Sequence, residues 1–216
     1  MDLAREYRLA IQAAIEASLA IKEIYSRGYE AVQKADGSPV TEADLKASNI
    51  INEVLSVSEH PVIDEETDKI PFEQRREWKK CWCVDPLDGT KEFIKRNGEF
   101  AVNIALIENG KPILGVIASP IKEEFIVGGP TIGVQYATFQ DFMNGAEPAP
   151  IQRNKKPDLL SIIASNSHHT PLLLDFLKKL SDAGLKTELT RKGSSLKFFN
   201  LSMNQAQIYP RFAPTM

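Results

Sequence analysis

Cys81-Trp82-Cys83-Val84-Asp85-Pro86-Leu87-Asp88-Gly89-Thr90 is the stretch on which the fold turns. Its apolar start reads as a strand that stops at a carboxylate. Pro86 fixes a bend, Asp85 and Asp88 are spaced so that both can face one point, and Gly89 lets backbone amides approach an anion. Thr90 adds a hydroxyl that can orient a water. Just upstream, Pro61-Val62-Ile63 is a second short apolar run, and it ends at Asp64-Glu65-Glu66. Two strands are therefore expected to end in carboxylates.

Acids gathered at strand ends repel one another unless cations hold them. Oxygen ligands with no histidine or thiol cluster nearby select magnesium, manganese or calcium over zinc, and magnesium shares its shell with water and substrate phosphate. Phosphate-ester chemistry is the natural inference. Asp85 and Asp88 are the leading candidates, whereas Glu66, Asp68 and Glu92 read better as solvated loop acids. The cysteines Cys81 and Cys83 share one short strand, which suits neither an internal disulfide nor a zinc site.

Outward from this centre the chain alternates helix and strand. Small or apolar residues recur at helical spacing from Tyr7 through Ile11, Ala14, Ser18 and Ile21 to Tyr25, which predicts a long amphipathic helix. Thr41 stands three residues before Asp44 as in a capping box, ahead of a second periodic stretch from Glu42 to about Ser56. Phe100 to Ile107 and Pro112 to Ala118 read as strands joined by Asn109-Gly110, a hairpin pair, with Glu124 to Val127 a third strand. From Gly128 to Lys156 glycines and prolines break every period, which predicts a loop-rich connection. Leu159 to Ala164, a helix from Thr170-Pro171 to Gly184 and a following strand predict a βαβ unit. Gly193-Ser194-Ser195 then opens a helix to about Gln205, and Ile208 to Phe212 reads as a short strand.

Composition narrows the function classes. The 216 residues are 43% hydrophobic and 25% charged, with a formal net charge of -3, so a buried core is affordable and no global positive field exists to hold nucleic acid. Acids begin at Asp2 and no apolar stretch approaches the length of a membrane span, which predicts a cytoplasmic protein with neither signal peptide nor transmembrane segment. Peripheral membrane attachment and oligomeric state stay open.

The segment V-D-P-L-D-G-T resembles the signature of the inositol monophosphatase superfamily. Its continuation K-E-F-I-K-R-N-G-E-F-A-V-N-I-A-L-I is similar to the CysQ-type, 3'(2'),5'-bisphosphate nucleotidase branch. S-P-V-T-E-A-D, I-D-E-E, G-K-P-I-L-G-V, S-N-S-H, G-S-S-L-K-F and Y-P-R-F extend the likeness along nearly the whole chain. The resemblance implies an α/β fold of the sugar-phosphatase kind, a layered αβαβα sandwich. Residues 1–128 would form an α+β metal-binding domain, 129–156 the connection, and 157–216 a C-terminal α/β domain that is incomplete. In the family a W-D-x-A-A segment with a further metal aspartate follows, and the sequence stops before it.

By the same resemblance, Glu65, Asp85 and the Leu87 carbonyl hold one magnesium, and Asp85 and Asp88 a second, with lithium sensitivity implied. Thr90 and Asp44 would orient and deprotonate the attacking water, while amides around Gly89 and Thr90 hold phosphate oxygens. Ser194 and Lys197 would meet a second phosphate or the ribose, with Arg211 and His168 as further nucleotide contacts. Asp64 stands where serine or glycine is usual. The implied reaction removes the 3'-phosphate of adenosine 3',5'-bisphosphate, or of 3'-phosphoadenylyl sulfate, in sulfate assimilation. The alternatives are an inositol monophosphatase-type sugar phosphatase, and a non-catalytic chain that binds metal or nucleotide without turnover.

Overall fold

The computed structural model describes residues 3–28, 31–33, 39–67, 70–152, 158–166 and 171–212. In chain order the elements begin with α1 (Ala4–Arg27), β1 (Ala31–Gln33), β2 (Pro39–Thr41), α2 (Glu42–Leu55), β3 (Val62–Asp64) and α3 (Phe72–Arg75). They continue with β4 (Lys80–Asp88), α4 (Thr90–Ile94), β5 (Ala101–Glu108), β6 (Lys111–Ser119), β7 (Glu124–Gly129) and β8 (Gly133–Thr138). The last are α5 (Phe139–Met143), β9 (Ala149–Pro150), β10 (Leu160–Ser165), α6 (Pro171–Asp182), β11 (Thr187–Lys192) and α7 (Leu196–Ser202).

The main sheet has seven strands in the order β3-β4-β5-β6-β7-β8-β9, with β3 parallel to β4 and every other neighbour antiparallel. Helices α1 and α2 cover one face. Their buried sides are built from small residues, Ala10, Ala13, Ala14 and Ala17 on α1 against Ala43 and Ala47 on α2, so the two backbones approach closely. Beneath them Trp82 is fully buried and its indole Nε1 donates to Ser58 Oγ at 2.8 Å, which satisfies the one polar atom the ring brings into the core. Phe100 meets Tyr25 and Phe93 edge to face and those two are tilted against each other, with centroids 5.0 to 5.1 Å apart, which locks α4 and the start of β5 to the end of α1. The Asn109-Gly110 turn takes the two positive φ values that a tight hairpin needs, 50° and 73°.

A separate pair, β10 and β11, is parallel and joined through α6, as a βαβ unit requires. Among the described residues no helix is long and apolar enough to cross a membrane.

Two expectations are corrected. The segment expected to be a loop-rich connection, 129–156, carries β8, α5 and β9, which extend the main sheet. Gly133-Val134-Gln135-Tyr136-Ala137-Thr138 finds partners along β7, and the Thr138 hydroxyl accepts from Asp141 N at 3.1 Å to cap α5. Pairing with a neighbour overrode the glycines that had suggested a loop. The strand expected over Ile208 to Phe212 shrinks to a single bridge, Ile208 beside Ile162, because no ladder extends beyond that pair.

Candidate active site

The bend at Pro86 does more than turn the chain. Along β4, Asp85 pairs with Asn103 but Asp88 pairs with Ala101, so β4 carries one residue more than its partner over this interval. In an unbroken strand, residues three apart point to opposite faces. The bulge restores Asp85 and Asp88 to the same face. Proline suits the bulge because it has no amide to contribute to the ladder.

The same alternation sorts the acids of β3. Asp64 lies opposite Val84 in the register and, like it, is buried toward the helices. Glu65, the next residue, is tied by its backbone N–H to Val84 O at 3.2 Å and takes the face of Asp85. Asp85, Asp88, Glu65 and Asp44 then form one electrostatic neighbourhood. Burial, followed by the charges of Asp88 and Glu65, raises the Asp85 carboxyl from 3.8 to about 8, against an opposing hydrogen bond from the Leu87 backbone. Asp85 Oδ1 is buried and has no hydrogen-bond partner among the described residues.

Thr90 Oγ1 donates to Asp44 Oδ1 at 3.0 Å and lies 3.3 Å from the Leu87 carbonyl. Asp44 is 1% exposed, and its Oδ2 accepts from both Thr41 N and Thr41 Oγ1 at 2.7 Å. The capping box is therefore present, and the same carboxylate also serves Thr90. Gly89, at φ 98°, starts α4, and a Cβ there would lie 3.1 Å from both Glu99 O and Ser194 Cβ. Only a glycine lets the two parts of the molecule close at this point.

The GSSLKF segment docks directly onto the acids. Asp88 Oδ2 accepts from Ser195 N, and Ser195 Oγ donates to Asn103 Oδ1 at 2.7 Å. Glu99 Oε2 accepts from Gly193 N at 2.8 Å and from Asn166 Nδ2 at 2.6 Å, which stitches the ends of β10 and β11 to the main body. Lys197, expected to meet a phosphate, is buried, and its ammonium donates to the carbonyls of Ser194 and Lys192. Burial lowers its pKa, while Asp88, Glu92 and Glu99 act the other way. Ser194 lies against Gly89, its Oγ 3.2 Å from Leu196 N, and the exposed Arg211 donates to Tyr209 OH at 3.3 Å. His168 and Asp68 lie outside the described residues. Glu92, expected to be a solvated acid, is buried at 8% exposure because α4 turns it under the Gly193 segment.

The fit to hard divalent cations is partial in geometry and good in chemistry. Among the described residues no three His, Cys, Asp or Glu groups stand together as a finished metal cage. The oxygen donors that face one another, with one buried carboxylate oxygen unpartnered and a raised pKa beside it, nevertheless suit a hard divalent cation rather than a soft metal. Burial, followed by the Asp85 charge, raises the pKa of the Cys83 thiol and so disfavours its thiolate. A cavity of about 400 Å³ beside Glu65 and Asp85, walled by Val62, Ile63, Ile70 and Arg75, leaves room for ligands. What went unread in the sequence is the stripe Asp44, Ser48, Asn52. These residues recur every four positions on one side of α2, and the spacing alone would have flagged a polar face turned inward.

The inositol monophosphatase family model matches residues 2–216. The chain belongs to the inositol monophosphatase family. Within it, the 3'(2'),5'-bisphosphate nucleotidase CysQ of Escherichia coli K12 is 41% identical over 212 residues, covering 94% of this chain and 79% of that protein. The crystal structure of CysQ from Bacteroides thetaiotaomicron superposes with a TM-score of 0.81 at 37% identity, covering 98% of this chain and 81% of that one. An inositol monophosphatase from Anabaena shares the fold at a TM-score of 0.70 and 22% identity. The chain is thus homologous to CysQ, a phosphomonoesterase, in a family of metal-dependent phosphatases, and is shorter than these relatives.

Proposed function

We propose that this chain is a magnesium-dependent phosphatase that hydrolyses the 3'-phosphate of adenosine 3',5'-bisphosphate to AMP and phosphate, with 3'-phosphoadenylyl sulfate as a second substrate. That pair of substrates links it to sulfate assimilation. The observation that carries the reading is the Thr90–Asp44 hydrogen bond beside a buried, unpartnered Asp85 oxygen. The names of the CysQ relatives supply the substrate class.

Glu65, Asp85 and the Leu87 carbonyl would hold one ion, and Asp85 with Asp88 a second. Bound there, the ions would supply Lewis acidity at the phosphoryl oxygens, the attacking water and the leaving oxygen. The chain's own contribution is positioning. Thr90 donates its only hydroxyl proton to Asp44, so its lone pairs face outward to accept from a water and aim it at phosphorus. The water's oxygen bonds to phosphorus as its proton leaves through Thr90 toward Asp44, and the bond from phosphorus to the 3'-oxygen breaks, that oxygen taking a proton from a second, solvent water to become the 3'-hydroxyl of AMP. Amides near Gly89 and Thr90 hold phosphate oxygens, while Ser194 and Arg211 face the rest of the nucleotide. Lys197 shapes this wall by bracing the Ser194 carbonyl.

Phosphate release from adenosine 3',5'-bisphosphate, measured with and without magnesium and against inositol 1-phosphate, tests the reading. Release that needs magnesium, is inhibited by lithium and is faster with the nucleotide is expected. Faster release from inositol 1-phosphate would move the chain to the sugar phosphatases. Calorimetric binding of both ligands without release would make it a non-catalytic binder.

A further inference from the structure

Asp64 is the acid of the Asp64-Glu65-Glu66 run that points away from the others. It is 6% exposed, and three donors occupy its carboxylate. Ser48 Oγ at 2.7 Å and Asn52 Nδ2 at 2.6 Å bond Oδ2, and the Glu66 backbone N–H at 2.8 Å bonds Oδ1. Asn52 Nδ2 also reaches the Ser48 carbonyl at 2.9 Å, so the two helix side chains are fixed relative to each other. With three donors on it, this carboxylate is committed to α2 and to the Glu66 peptide.

Its bonds do something else. One end grips α2, while the other grips the peptide immediately after Glu65. Glu65 is thereby fixed on both sides, by its own N–H to Val84 O and by the next N–H to Asp64. Helix α2 also carries Asp44, one turn before Ser48, and Asp44 holds Thr90. The stripe Asp44, Ser48, Asn52 therefore references the two halves of the proposed site to a single rigid element.

We infer that Asp64 is a positioning residue, which, through Ser48 and Asn52, sets Glu65 in register with the Asp44–Thr90 pair and so raises the affinity of the site for its divalent ion. This rests on the magnesium reading above. Residues that orient a metal ligand without touching the ion commonly change affinity by roughly 10- to 100-fold, and the effect here is expected at about tenfold, the low end.

The test is calorimetric magnesium binding to the full chain, alongside its melting temperature in EDTA. Asp64→Asn places a donor amide against Asn52 Nδ2 while preserving size. It should weaken magnesium binding about tenfold with the EDTA melting temperature little changed. Ser48→Ala, a milder lesion for the case in which Asp64→Asn fails to fold, should weaken binding by several-fold. Wild-type binding with unaltered affinity in these variants would overturn the positioning role alone. A wild-type chain that takes up no magnesium would overturn the metal reading, and the positioning role with it.

Discussion

The main sheet with α1 and α2, and the β10–β11 pair with α6, are built on different scales. In the first, a continuous core runs from Ala10 through Trp82, Phe93 and Phe100 to Phe139. In the second, α6 buries only Leu173 and leaves Leu172 and Leu174 exposed, and β11 is largely solvent-facing. A small cluster of Ala101, Ile126, Leu196 and Phe199, with the polar seam at Glu99 and Asp88, joins them. The proposed metal acids thus stand on the deeply cored part, and the proposed nucleotide contacts on the thin one. Rigid placement matters most for ion ligands, while a wall that closes on substrate tolerates lower local stability.

Phe100→Ala should cost about 3–5 kcal/mol in urea unfolding, because it empties the centre of an aromatic trio in the cored part. A loss under 1 kcal/mol, by an order-of-magnitude reading of the same series, would mean that the body is not the rigid partner.

Asp85→Asn probes the electrostatics of the acids. Because the folded-state pKa, about 8, lies above the ordinary value of 3.8, the folded form holds its proton more tightly than the unfolded chain does. Asp85 therefore contributes stability to the metal-free protein that is fully present below about pH 3.8 and is lost progressively as pH rises to about 8. Asp85→Asn should stabilise the EDTA-treated protein by roughly 1–2 kcal/mol at pH 8 and flatten that pH dependence. It should also remove magnesium-dependent phosphate release. Identical pH profiles for the two proteins would count against the buried acid cluster.

Glu99→Ala cuts the seam without touching either core. Hydrogen exchange of the β10 and β11 amides should accelerate by about tenfold, equivalent to about 1.4 kcal/mol, with the α1 and β5 amides unchanged. Uniform acceleration across both regions would erase the distinction. The smallest effect is expected at Ser18, whose hydroxyl is buried without a partner among the described residues. Ser18→Ala should raise stability by up to about 1 kcal/mol in the same urea titration.

Sequence legibility followed the same divide. Helices α1 and α2 and the β5–β6 hairpin carry their signals locally, in period, cap and Asn-Gly turn, and each stands close to where those signals put it. The strand β8 depends on pairing with β7, which local glycines hide. The converse holds at Ile208, where strand-like residues found only a single bridge. At the site, spacing in Asp85-Pro86-Leu87-Asp88 was enough to suggest a shared face, although the bulge that produces it needs the register of β5. The burial of Glu92, the commitment of Lys197 to two carbonyls and the role of Asp64 arise from contacts between distant segments. No window of sequence displays them.

Anomalous diffraction from crystals soaked in manganese locates the ion itself. Density is expected within about 2.1–2.3 Å of Asp85 oxygens, shared with Asp88 on one side or with Glu65 and the Leu87 carbonyl on the other. A well-ordered site with no density there at millimolar manganese, or with density only elsewhere on the surface, would refute the assignment of these acids to metal.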